Sequence, residues 1–393
     1  MKAARDEIVA FRLGAHHLAE RLGEGRLLQA AAACGVQNSP PGSALLALNA
    51  RVQSVTPRSL DAAIDDRSML QTWAMRGAPF FFPTADAATF TAGVLPTTEA
   101  ALRRFVLGVG PSADDLGLTV TQAVDRVDSH LDEVLAGRRL AIDELGAALA
   151  QRTASDLTPA QKEVWERGGP HAAGQPVGEA VAHFCLRILM LRGRICFAPR
   201  DGERAPFVLV EEWLGRPLPA VEPERARAEL LRRYLHCYGP STRADFAAWL
   251  GVRAGDVAPW WDLLTDELVE IDTGRRTWML AADVDTLRAA SMPEGVRLLP
   301  PRDPYTQARD RGTLVDPAHQ REVWKTVGDP GTLLVDGEIV GVWRPRKRGE
   351  RLTLTVTPFS APTQRTRMLL QNEAEQVALL RGATTVDIVL RES

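Results

Sequence analysis

V-A-H-F-C-L-R-I-L-M-L-R-G-R-I-C-F-A-P-R, residues 181–200, decides how the rest of the chain is read. Apolar residues at helical spacing run to Leu191, an Arg-Gly pair stops the helix, and an apolar strand follows. A turn, D-G-E-R, then leads into a second strand, P-F-V-L-V-E-E-W. The cadence occurs twice more. Upstream, R-G-A-P-F-F-F-P (76–83) follows a helix expected over 66–76. Downstream, W-W-D-L-L-T-D-E-L-V-E-I-D-T-G-R-R-T-W-M-L (260–280) reads as helix, strand, Thr-Gly turn and strand.

Paired helices precede the hairpins. Residues 131–150 read as a helix, a Gly turn and a second amphipathic helix. In 230–251 the Gly239–Pro240 turn separates two helices, and Ser241 or Thr242 is placed to cap the one starting near Arg243. Helices followed by a two-stranded hairpin form the winged-helix arrangement, a helix-turn-helix variant, and three copies make an internal repeat. The expected fold is mainly α with β: winged-helix units over 1–111, 112–220 and 221–292, then a small β-rich, barrel-like domain over 293–393. That last domain shows a hairpin at Asp336–Gly337, period-two alternation over 351–359, one helix over 363–381 and a final strand.

The chain has 393 residues, 45% hydrophobic and 25% charged, a globular composition with room for several domains. Its net charge of −3 argues against a protein that coats nucleic acid indiscriminately. Cys34, Cys185, Cys196 and Cys237 are widely spaced in apolar context, which predicts buried free thiols and no metal site. The adjacent His16 and His17 would point about a quarter turn apart on a helix, a poor chelate. An acidic pair near the N-terminus and the lack of a long apolar run predict a cytoplasmic protein.

Several stretches invite a functional reading. Arg344, Arg346, Lys347, Arg348 and Arg351 gather at a hairpin apex after Trp343. Such a run is either a solvated loop tip or a phosphate-clamping element that contacts DNA. Gln37-Asn38-Ser39 places three neutral hydrogen-bonding side chains at an expected helix end before Pro40. Turn chemistry and the handling of a water molecule both fit that pattern. P-P-R-D-P-Y (300–305), with Arg309 and Arg311, lines a cleft or links two domains. Phe80, Phe81 and Phe82 fit a buried wing strand better than a base-stacking platform.

The order of these features, with W-A-M-R-G-A-P, Y-G-P-S-T-R-A-D-F-A-A-W-L-G, L-P-P-R-D-P-Y and L-L-V-D-G-E-I-V-G-V-W-R, resembles the bacterial crosslink-repair DNA glycosylases of the AlkZ/YcaQ type. The resemblance covers nearly the whole chain. It implies a catalytic signature of Gln, an apolar residue, then Gln, Asp or Asn at the end of an early helix. Gln37 matches it; Asn38 and Ser39 depart from it.

Neutral groups suffice for the implied reaction. Alkylation at N7 or N3 makes a purine cationic, so the base already leaves readily, and the protein need only position a water and favour the developing oxocarbenium ion. Gln37 would accept a hydrogen bond from that water and Ser39 would be the second acceptor. No lysine nucleophile lies near, so a monofunctional enzyme without cofactor or metal is implied. Its expected partner is double-stranded, alkylated DNA, bound by a monomer at the bacterial nucleoid, with crosslinks as further substrates. The alternative is a non-catalytic winged-helix DNA-binding protein, a regulator or damage sensor.

Overall fold

A computed structural model describes residues 1–325 and 327–391. The fold is mixed α/β, with many helices and twelve strands among the described residues. The first three strands, β1 (Val36–Gln37), β2 (Met69–Trp73) and β3 (Pro79–Pro83), form an antiparallel sheet in the order β1-β3-β2. Two separate hairpins follow: β4 (Ile195–Phe197) with β5 (Phe207–Leu209), and β6 (Leu268–Asp272) with β7 (Arg276–Leu280). Each paired run is short and bounded by a turn; β4 and β5 are apolar throughout, whereas β6 and β7 mix apolar with charged residues.

The helical pairs fall where the periodicity places them. Leu131–Leu135 and Ile142–Thr153 precede the β4–β5 hairpin, while Pro223–Tyr238 and Arg243–Leu250 precede β6–β7. Thr242 caps Arg243–Leu250 by accepting a hydrogen bond from the Asp245 amide at 3.1 Å. Ser241 is used otherwise, its hydroxyl 2.7 Å from that of Tyr234.

The expectation of a helix over 66–76 is wrong. The helix here is Pro57–Asp65, and β2 occupies Met69–Trp73. Arg67 ends the helix in the left-handed region (φ 65°). Its guanidinium lies 3.5 Å over the Trp213 ring and donates to the carbonyls of Ile64 and Trp213. The apolar run after it is too short for a stable helix, and β3 offers it a strand partner from Met69↔Pro83 to Trp73↔Pro79.

Strands β8 (Val296–Leu299), β9 (Gly331–Val335), β10 (Glu338–Arg348), β11 (Arg351–Pro358) and β12 (Thr385–Leu390) form one sheet in the order β12-β11-β10-β9-β8. Of the barrel or half-barrel expected here, the closed form is not what is seen. The sheet is open, with β12 and β8 at its two ends, and β12 joins parallel to β11 across the helix Gln364–Leu380. Asp336 and Gly337 both take positive φ (48° and 87°) at the β9–β10 turn, as a tight hairpin requires.

This sheet is not an appendage. Ala44, Leu48 and Phe81 from the N-terminal segment share one core with Leu333, Trp343, Val356, Leu370 and Val377. Trp343 is 1% exposed and donates from Nε1 to the Leu299 carbonyl at 2.9 Å. Gly331 makes that possible, because a Cβ there would stand 2.3 Å from the indole nitrogen. A second, larger core joins Phe82 and Phe90 to Leu186, Tyr234 and Trp249. Burying side chains of this size stabilises the packing by roughly 1.5–3 kcal/mol each.

Candidate active site

Gln37 is not at a helix end. The helix Leu27–Ala32 stops early, Gly35 turns the chain with φ 72°, and Gln37 lies on β1 opposite Phe80. Gly35 is required there twice over, since a side chain would also crowd the Phe80 ring at 3.3 Å. The next amide, of Asn38, donates to the Pro79 carbonyl at 2.8 Å, so both ends of Gln37 are held by sheet pairing.

The three polar side chains separate into different jobs. Asn38 Oδ1 accepts from the amides of Gly42 at 2.9 Å and Ala44 at 3.4 Å, which is turn chemistry. Gln37 is 3% exposed, and its Oε1 accepts from Arg76 Nη2 at 3.4 Å. Ser39 is half-buried, and its hydroxyl accepts from Arg302 Nη1 at 3.3 Å. Each contact is long for a hydrogen bond to a guanidinium, so neither acceptor is strongly engaged. A cleft of about 270 Å³ lined by Asn38, Gln71, Phe81 and Trp213 opens near this segment. Period-two alternation places Asn38 and Gln37 on opposite faces of the chain, so the cleft is not on the Gln37 side.

The arginines come from two elements. Arg76 sits in the tight turn between β2 and β3 at φ 57° and also donates to Gln307 Oε1 at 3.2 Å and to the Trp249 carbonyl. Arg302, Gln307 and Arg309 come from the 300–311 loop, which is fastened at two points. Asp303 forms a fully buried bidentate pair with Arg51 at 2.7 and 2.8 Å. Asp310 forms another with Arg12 at 2.9 and 3.0 Å, and Arg12 also donates to the carbonyls of Gly239 and Pro240. Burial opposes the charge on Arg51 and Arg12, but the facing carboxylates more than offset it and hold both above the ordinary arginine range. Arg76 has no such partner. Burial, with the positive charges of Arg309 and Arg302, pushes its pKa down to about 9.

Sequence reasoning proposed Gln37 and Ser39 and left 300–305, with Arg309 and Arg311, as either cleft or linker; it did not single out Arg76 or Gln307.

The basic residues lie at the apex of the β10–β11 hairpin, where Arg344, Arg346, Lys347 and Arg348 end β10 and Arg351 begins β11. Arg344, Arg346, Lys347, Arg348 and Arg351 are all exposed. Arg344 donates to the Gly328 carbonyl and Arg351 pairs with Asp387. The three between them make no ion pair among the described residues. Trp343 does not accompany them as a stacking platform, because its ring belongs to the core. Phe80, Phe81 and Phe82 are at most 5% exposed, and Phe82 stacks on Phe90 at 4.9 Å, which settles them as packing.

All four cysteines are free and buried. Spacing along the chain could not show that His16, Cys34 and Cys237 bring their donor atoms within 4.8 Å of one another. The Cys34 thiol is held well below its usual range, chiefly by the Cys237 thiol and, against burial, by His16 and Arg51. No helix among the described residues is long and apolar enough to cross a membrane.

The model of the AlkZ-like DNA glycosylase family matches residues 30–380, a span that includes Gln37, Arg76, the 300–311 loop and the basic hairpin. An interstrand DNA cross-link repair glycosylase of Streptomyces sahachiroi is 26% identical over 397 residues, covering 99% of each chain. The solved structure of Streptomyces sahachiroi DNA glycosylase AlkZ superposes with a TM-score of 0.76 at 24% identity over the full length of both chains, a likeness of fold. With the family model spanning most of its length, this chain belongs to the AlkZ-like DNA glycosylase family.

Proposed function

We propose that this protein is a monofunctional DNA glycosylase that binds duplex DNA as a monomer and hydrolyses the N-glycosidic bond of N7- or N3-alkylated purines. We read its body as three winged-helix units, 1–111, 112–220 and 221–292, with 293–393 as the β-rich unit, acting at the bacterial nucleoid. The curated relative named for interstrand crosslink repair supports crosslinked purines as further substrates.

The observation that carries this reading is Gln37 itself: a neutral acceptor fixed by β1 pairing, with its carbonyl oxygen in only one long contact. No carboxylate hydrogen-bonds to Gln37 or Ser39 among the described residues. Asp303, next in the chain to Arg302, is consumed by Arg51 and the Tyr305 amide. The site therefore supplies position, not a strong base, which suits a leaving group that is already cationic. Gln37 Oε1 accepts a hydrogen bond from the attacking water, and Ser39 Oγ accepts or directs the other. The cationic base departs neutral with the glycosidic electron pair, and the proton lost as the water adds to the sugar passes to solvent. None of the chain's four lysines, Lys2, Lys162, Lys325 and Lys347, hydrogen-bonds to Gln37 or Ser39 among the described residues, which supports a monofunctional reading.

The burial of Gln37 favours the second reading, a non-catalytic damage sensor, because a water or sugar must displace a neighbour to reach it. Incubation with duplex DNA carrying N7-methylguanine separates the two. The glycosylase reading predicts free base and an abasic strand that breaks only on alkali treatment. Tight binding with no base release would leave the sensor, and strand breakage without alkali would contradict a monofunctional enzyme.

A further inference from the structure

Among the described residues, positive charge converges on Gln37 with only Asp329 as a facing carboxylate. Arg76 reaches Gln37 and Gln307 through neutral oxygens only. The groups that shift Arg76 most after burial are Arg309, Tyr238 and Arg302, of which two are cations and none is a carboxylate. Arg309 is itself part-buried, its Nε has no hydrogen-bond partner among the described residues, and burial followed by Arg311 lowers its pKa. Arg302 has one carboxylate, Asp329 at 3.1 Å, and otherwise touches Ser39. The loop's own acids are unavailable, because Asp303 and Asp310 are bound to Arg51 and Arg12.

A structural explanation exists for part of this. Arg76 donates to the Trp249 carbonyl in the last turn of Arg243–Leu250, and a helix C-terminus carries about half a negative charge. That half charge, with Asp329, does not balance three guanidiniums. Unpaired charge in a part-buried setting is costly to hold, and a protein that keeps it in a rigid frame is prepared for an anion.

We infer that Arg76, Arg302 and Arg309, with Gln307, form an anion site beside Gln37 that takes the DNA phosphodiester next to the extruded nucleotide. This rests on the glycosylase reading, in which the nucleotide must leave the stack to reach Gln37. The chemistry requires such a ligand. Three guanidiniums with Asp329 as the one carboxylate facing them would oppose an oxocarbenium ion forming near them, and a phosphodiester among them offsets part of that charge. It also exchanges partners: Arg76 and Arg302 give up long contacts to Gln37 and Ser39 for shorter charge-assisted bonds to phosphate oxygens, freeing both acceptors for water.

The test uses a duplex with a tetrahydrofuran abasic analogue, so that binding is read without catalysis. In a series of such duplexes, each carries one methylphosphonate near the analogue. One position should weaken wild-type binding about tenfold. Arg76→Gln should weaken binding to the all-phosphate duplex similarly and reduce the log–log salt slope by about 0.9. It should then be indifferent to the methylphosphonate at that position. Arg309→Gln, which removes no helix-end contact, must show the same coupling, and it carries the test if Arg76→Gln melts early. Additive losses in both variants would overturn the site. Thermal stabilisation of the wild type by inorganic phosphate, without methylphosphonate coupling, would assign the pocket to a free anion and overturn the DNA assignment. If the coupling holds but N7-methylguanine is not released, the glycosylase reading fails and the anion site stands.

Discussion

Ser39 is the residue at which this chain departs most consequentially from the Gln-apolar-Gln/Asp/Asn pattern. Its hydroxyl is shorter than an amide and touches Arg302, so in the proposed mechanism it is the weaker of the two acceptors. Ser39→Ala should lower single-turnover base release by no more than about tenfold, and Ser39→Gln should raise it. A Ser39→Ala effect as large as that of Gln37→Ala would show that the hydroxyl shares the water equally. At the same scale, Asp303→Ala strands Arg51 in the interior and should cost about 3–5 kcal/mol in urea unfolding. Arg51→Met combined with Asp303→Leu should recover most of that stability. Gln37 was legible because amides before a proline are unusual against an apolar background. Its strand was not, since two residues carry no periodicity. Arg76 and Gln307 were illegible because their significance lies wholly in contacts across 39 and 231 residues of sequence separation.

Among elements, the β10–β11 hairpin makes the clearest prediction. Neutralising Arg346, Lys347 and Arg348 together should weaken binding to any duplex and flatten the log–log salt dependence by up to about 0.9 for each phosphate these side chains neutralise. An unchanged slope would mean that the tip only faces solvent. The helix Pro223–Tyr238 is tied to the segment after β7 by His236, whose Nδ1 lies 3.0 Å from Asp283. That hydrogen bond raises the His236 pKa. Its stabilisation is complete below the unfolded value of about 6.5 and is lost as pH rises through the higher folded value. Urea midpoints should therefore fall between pH 6 and pH 8.5, less so in Asp283→Asn; an identical fall in both would remove this pair as the cause. Hairpins β4–β5 and β6–β7 were readable because turn residues and apolar runs alternate in short, clean units. Met69–Trp73 was misread as helix because the five residues M-L-Q-T-W are too few to fix a period, and only the Phe-rich partner strand decides between helix and strand.

Across the whole molecule, the shared cores explain why the candidate site is built from distant segments. β1 supplies Gln37, the β2–β3 turn supplies Arg76, and the 300–311 loop, held by Arg51 and Arg12, supplies Arg302, Gln307 and Arg309. The C-terminal sheet that packs against the first segment also carries the exposed basic tip, so site and tip belong to one framework. This arrangement should bind one duplex per monomer, and sedimentation showing two protein chains per short duplex would contradict it. The most direct test of the central claim is single-turnover release of N7-methylguanine by wild type and by stably folded Gln37→Ala, with duplex affinity measured in parallel. The account predicts a drop of about 10²-fold in release with affinity changed by less than about threefold, because the interaction with water matters chiefly in the transition state. Equal release by the two proteins would contradict it and return Gln37 to the packing of β1.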